Sequence, residues 1–93
     1  MNIQMTKHAA TRQQQRCIPP LILEWLTSYG TTSHDHHGAE VRYFDKRSRK
    51  VLAKAVGEEV VSRLTGLLDT YAVVSGSGAV VTVGHRFKRM KEH

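Results

Sequence analysis

The chain has 93 residues, 14 Lys and Arg against 8 Asp and Glu, and a formal net charge of +6. That length holds one domain, residues 1–93, near the lower limit of what folds alone. A single cysteine makes no internal disulfide framework, no apolar run approaches the ~18 residues of a membrane span, and the polar start with its three consecutive glutamines is no secretory signal, so a cytoplasmic protein held together by packing is expected.

Residues 5–16 predict a polar surface helix with Thr6 as its N-cap. Cys17 follows it and reads as a small residue in a buried or semi-buried place. Pro19-Pro20 breaks the run and opens a second helix, Leu21 to Tyr29, which is apolar nearly all round and belongs in the core. Gly30 suits a left-handed C-terminal position. Thr31 to Gly38 is a polar loop. Ala39 to Phe44 alternates and predicts a strand, with Val41 and Tyr43 on one face. Asp45 caps a helix over 46–56 that ends at Gly57. A further helix begins at Glu58 and Glu59 and carries Val60, Val61, Leu64, Leu67 and Leu68 as one amphipathic face. Tyr71 to Ser75 and Ala79 to Val83, joined by Gly76-Ser77-Gly78, form an antiparallel hairpin. The tail 86–93 is basic and expected to be flexible. These elements predict an α+β domain: N-terminal helices on a small, mainly antiparallel sheet, with a C-terminal β-hairpin and an inserted helix pair. The expected core is Ile22, Trp25, Leu26, Val41, Leu64, Leu68, Val73 and Val81.

The charge is uneven. Residues 1–45 carry four Lys/Arg and four acids; residues 46–93 carry ten and four, so the whole excess lies in the second half. It gathers in Lys46, Arg47, Arg49 and Lys50, and in Arg86, Lys88, Arg89 and Lys91. One such cluster is an ordinary solvated face. Two in so short a chain favour an anionic partner: RNA, another polyanion or an acidic protein.

Three constellations bear on chemistry. His8, Arg12 and Gln15 share a helix face, with Arg16 one step round. That set suits phosphate binding and proton transfer, although the pattern alone fits a solvated face better. Thr82 to Arg89 places His85 and Arg86 at a sheet edge just beyond Gly84. An imidazole beside a cation is what RNA cleavage needs, and a basic tail that merely ends the fold is an equal reading. His34-Asp35-His36-His37 has the look of a metal loop, but ligands of native sites come from separated elements, so no metal is assigned. There is no phosphate-binding glycine loop, nucleophile elbow or paired carboxylate motif, and no cofactor is expected.

The stretches His8 to Arg16 (HxxxRxxxR), Leu26 to Gly30, Gly38 to Phe44 and Val73 to Arg86 (ending Val-Thr-Val-Gly-His-Arg) resemble short bacterial proteins similar to the RelE-type toxins and, more distantly, to the barnase/RelE ribonuclease fold. The resemblance implies a site on the sheet face and the first helix. By position it draws on His8 and Arg12 from the helix, Tyr43 from the first strand, and Thr82, His85 and Arg86 from the last strand and its exit. It also implies an antitoxin as partner. Two functions are therefore expected. One is a metal-independent ribonuclease: His85 is general acid or base with His8 or Tyr43 opposite it. Arg12 and Arg86 steady the phosphorane, and Arg16, Lys46, Arg47, Arg49, Lys50, Lys88, Arg89 and Lys91 hold the RNA. The other is a non-catalytic basic module, or an inhibitor from a mobile element, that binds nucleic acid or an acidic protein through the same surface.

Overall fold

In a computed structural model of the chain, residues 3–34 and 38–85 are described. The elements in order are α1 (Lys7–Gln15), α2 (Pro20–Tyr29), β1 (Thr31–His34), β2 (Glu40–Tyr43), α3 (Lys46–Val56), α4 (Glu58–Arg63), a 3-10 turn (Thr65–Leu68), β3 (Thr70–Val74) and β4 (Val80–His85). The four strands form one antiparallel sheet in the order β1-β2-β3-β4. The fold is α+β. Among the described residues no helix is long and apolar enough to cross a membrane.

Local chemistry sets the helix boundaries. The Thr6 hydroxyl accepts the Ala9 amide at 3.1 Å and starts α1. Pro20 opens α2, where its missing N–H is no loss. Asp45 and Ser48 form a reciprocal capping box at α3: the Asp45 carboxylate accepts the Ser48 amide at 2.8 Å, and the Ser48 hydroxyl accepts the Asp45 amide at 2.9 Å. Burial pushes the Asp45 carboxyl pKa up, but hydrogen bonds from the Ser48 amide, the Thr31 hydroxyl and the Ser48 hydroxyl outweigh it and hold the pKa below its ordinary value.

The helices cover one face of the sheet. Their buried side chains, Ala9 on α1, Ile22, Leu23, Trp25 and Leu26 on α2, and Leu52 on α3, cluster with Ile18, Phe44, Leu68, Ala72, Val74, Val80 and Val83. Register puts Thr70, Ala72 and Val74 opposite His85, Val83 and Val80 on that covered face. Tyr71 and Val73, opposite Gly84 and Thr82, lie on the outer face with Val41 and Tyr43.

Several expectations are corrected here. Val41, Val73 and Val81 are half-buried and lie outside the main core, which takes Ala72, Val74, Val80 and Val83 instead. On β4 the reason is an irregularity: Val73 pairs with Thr82 and Val74 with Val80, so Val81 is an extra residue. That insertion lets Val80 and Val83, three apart, both face the helices. On β2 it is Arg42 that points toward α2, donating to the Thr27 carbonyl at 3.1 Å. The long amphipathic helix from Glu58 is broken at Leu64; Val60 stays 39% exposed and Leu64 is half-buried. The first half of the expected loop, Thr31–His34, is an edge strand. Its Thr-Thr-Ser-His sequence has no apolar alternation, and pairing with β2 rather than burial organises it. Gly30 is extended (φ −66°, ψ 154°), not left-handed. Glycine is required there because a Cβ would stand 2.5 Å from the Leu26 carbonyl oxygen. Cys17, in the connection between α1 and α2, is exposed and left-handed (φ 52°).

Candidate functional site

The N-terminal segment is stitched to the last strand. Thr6 N–H donates to the Val80 carbonyl at 2.9 Å, and Val80 N–H donates to the Gln4 carbonyl at 2.8 Å. Met5 and Val80 make a parallel bridge. The Thr6 hydroxyl donates to the Val81 carbonyl at 3.3 Å, joining residues 75 apart in sequence. These bonds fix where α1 begins, and the helix then runs along β4.

Two further contacts follow from that alignment. His8 Nε2 lies 3.4 Å from the Thr82 hydroxyl. One helix length later, His85 Nε2 lies 2.9 Å from the Arg16 carbonyl oxygen. A carbonyl only accepts, so His85 carries its proton on Nε2, and in the neutral ring Nδ1 is the basic nitrogen. Arg12 is half-buried between them on the i, i+4, i+8 stripe of His8, Arg12 and Arg16. The Arg16 Nε is enclosed and has no hydrogen-bond partner among the described residues. Neither α1 nor β4 contains a carboxylate, so His8, Arg12, Arg16 and His85 meet no acid on either element.

His8 thus meets β4 at Thr82 while His85 belongs to β4 itself, and the two strand positions have opposite parity. Thr82 shares the outer face with Val73, whereas His85 shares the covered face with Thr70. Three residues of strand separate the two contacts, about 10 Å at the usual rise. Tyr43 stands on the outer face opposite Tyr71 and is 4% exposed.

The cations of α3 begin near the same end of the sheet. Tyr43, Tyr71 and Gly84 lie in one row across β2, β3 and β4, and α3 starts three residues after Tyr43. Arg49 reaches back to Asp69 at 2.8 Å, just ahead of the Thr70 that pairs with His85. That ion pair commits Arg49 to anchoring α3; Lys46, Arg47 and Lys50 are exposed. His34 lies at the opposite end of the sheet. It approaches Glu40 at 4.0 Å, and no group of three metal-ligating side chains occurs among the described residues. Arg86, Lys88, Arg89, Lys91, the expected flexible tail 86–93 and the loop residues Asp35, His36 and His37 lie outside the described residues.

Sequence reasoning did not single out two participants. One is the Arg16 carbonyl, which no residue pattern announces. The other is Tyr71, whose partner in the hairpin is the side-chain-free Gly84; counting residues outward from Gly76-Ser77-Gly78 would have paired them only if the extra residue at Val81 were known. No family model, no curated protein and no solved structure matches this chain.

Proposed function

We propose that this chain is a metal-independent ribonuclease of the RelE-like kind, acting in the cytoplasm through the seam between α1 and β4. The observation that carries the reading is the alignment of α1 on β4, which brings His8 to Thr82 and Arg16 to His85 along a line free of acids. A phosphodiester in this seam meets cations that offset its charge. In the cleavage step the ribose 2′ oxygen bonds to phosphorus and the bond from phosphorus to the 5′ oxygen breaks. A neutral imidazole takes the 2′ proton, and a second acid protonates the leaving 5′ oxygen. Thr82 orients the His8 ring, and Arg12 steadies the charge on the phosphorane. Lys46, Arg47 and Lys50 extend the grip on the backbone near the end where β4 finishes.

The test is incubation of labelled single-stranded RNA with the protein in EDTA. Wild type should release products ending in a 2′,3′-cyclic phosphate. His8→Ala and His85→Ala should each slow cleavage on the order of a hundredfold, the usual share of one acid or base. Intact RNA after prolonged incubation with wild type overturns the enzyme.

A second reading has its own support. Thr82, where His8 makes its contact, and His85 itself belong to opposite faces of β4, and two groups that act on one phosphate need to share a side. That geometry favours a non-catalytic cationic module holding RNA or an acidic protein partner such as an antitoxin. Binding that leaves RNA intact and survives His85→Ala would identify it.

A further inference from the structure

The outer face of the sheet borders the seam, and the helical core lies on the other side. Tyr71 stands there opposite Gly84. A Cβ on Gly84 would be 2.8 Å from Tyr71 Cε1 and 2.9 Å from its hydroxyl oxygen, so the tyrosine ring lies over the bare glycine backbone. One side of the ring is therefore supported by the strand, and the side chain as a whole is only half-buried. Buried Tyr43 stands beside it on β2. Two residues back along β4, on the same face, is Thr82 with His8 at 3.4 Å. The rise of a strand makes that step about 7 Å.

We infer that Tyr71 is a stacking platform for an unpaired base, and that the seam selects single-stranded RNA over duplex. The inference rests on the RNA reading above and adds the part of the nucleotide that the seam does not explain. The cations of α1 attract phosphate, and no carboxylate on α1 or β4 opposes it. A nucleotide whose phosphate lies beside His8 and Arg12 has its base within reach of the outer face. There it meets an aromatic ring backed by glycine, flanked by Val73 and Val41. Any base has a π-face, so the platform tolerates sequence. A duplex keeps its bases stacked on one another and offers only backbone and groove, so it gains nothing from Tyr71. Glycine at position 84 is what lets the ring settle close to the strand; a methyl group there would force it away.

The experiment compares three ligands of equal length on the full chain at fixed salt: a single-stranded oligoribonucleotide, the same strand in a duplex, and an abasic strand that keeps the phosphates. Wild type is expected to bind the normal strand roughly tenfold more tightly than the abasic strand, the effect of about one stacked base. The duplex should bind as the abasic strand does. Tyr71→Leu should bring the normal strand down to the abasic level, and Tyr71→Phe should keep the preference. Equal affinity of wild type for normal and abasic strands overturns the stacking site while leaving phosphate binding in place. Absence of binding to all three overturns the RNA reading itself. The wild-type comparison needs no variant, so a folding defect in Tyr71→Leu does not decide the outcome.

Discussion

The β1–β2 hairpin and the α1–β4 seam both hold histidine and arginine, yet the two regions treat them differently. In the hairpin, Glu40 sits opposite His34, its oxygens 4.0 Å from His34 and 3.6 Å from Arg42, and Arg42 also donates to the Thr27 carbonyl near the C-terminal end of α2. The positive groups there are answered within a local structure. In the seam, His8 meets a hydroxyl and His85 meets a carbonyl, and neither α1 nor β4 supplies a carboxylate. The same side chains therefore serve architecture in one place and remain suited to an outside anion in the other. What separates the two cases is the identity of the neighbours, which composition does not reveal.

That contrast can be broken by exchanging readouts between the regions. The largest effect should come from Arg12→Ala in the seam, with RNA affinity falling severalfold and the slope of log affinity against log salt shrinking by about 0.7, the share of one phosphate contact on a single strand. Arg42→Ala in the hairpin should leave affinity unchanged and lower stability by about 1–2 kcal/mol, because the Thr27 carbonyl and Glu40 lose their donor. Salt-dependent binding titrations and urea melts of both variants check the pair. An affinity loss in Arg42→Ala would erase the distinction.

A smaller effect belongs to the link between β1 and α3. Asp45→Ala should destabilise the fold by about 1 kcal/mol through loss of the N-cap. The folded carboxyl pKa is depressed, so its ionisation stabilises the protein fully above the unfolded value of about 3.9 and that contribution disappears as pH falls through the lower folded value. Melts from pH 7 down to pH 3 should show the gap between wild type and Asp45→Ala steady at neutral pH and narrower in acid. The smallest effect is on α4: Glu59 and Arg63 pair at 2.8 Å, but both are more than three-quarters exposed. Glu59→Ala should leave the melting temperature nearly unchanged.

Helix ends were legible in the residues because they are written in local chemistry. Thr6, Pro19-Pro20, Asp45 and Gly57 each act within one turn, and each sits at a boundary the structure keeps. Strand faces were less so. Val41 and Val73 have the right residue type for a core, but which parity faces the helices depends on how β2 and β3 are docked, and on β4 a single extra residue at Val81 resets the count. The polar edge strand Thr31–His34 left no pattern at all, since its partner supplies the order. For the candidate site, HxxxRxxxR and Val-Thr-Val-Gly-His pointed to α1 and β4. The docking that aligns them comes from backbone atoms of Gln4, Thr6 and Val80, which have no signature in side-chain identity.

The bonds from Gln4 and Thr6 to Val80 and Val81 also govern when this surface exists. A chain growing on the ribosome exposes α1 early, with its histidine and arginine against no strand, and β4 emerges some seventy residues later. Closing a loop of that size is a late event in folding. A nascent or truncated product lacking β4 therefore carries the basic helix without the strand that aligns it, and the seam forms only once β4 has been made.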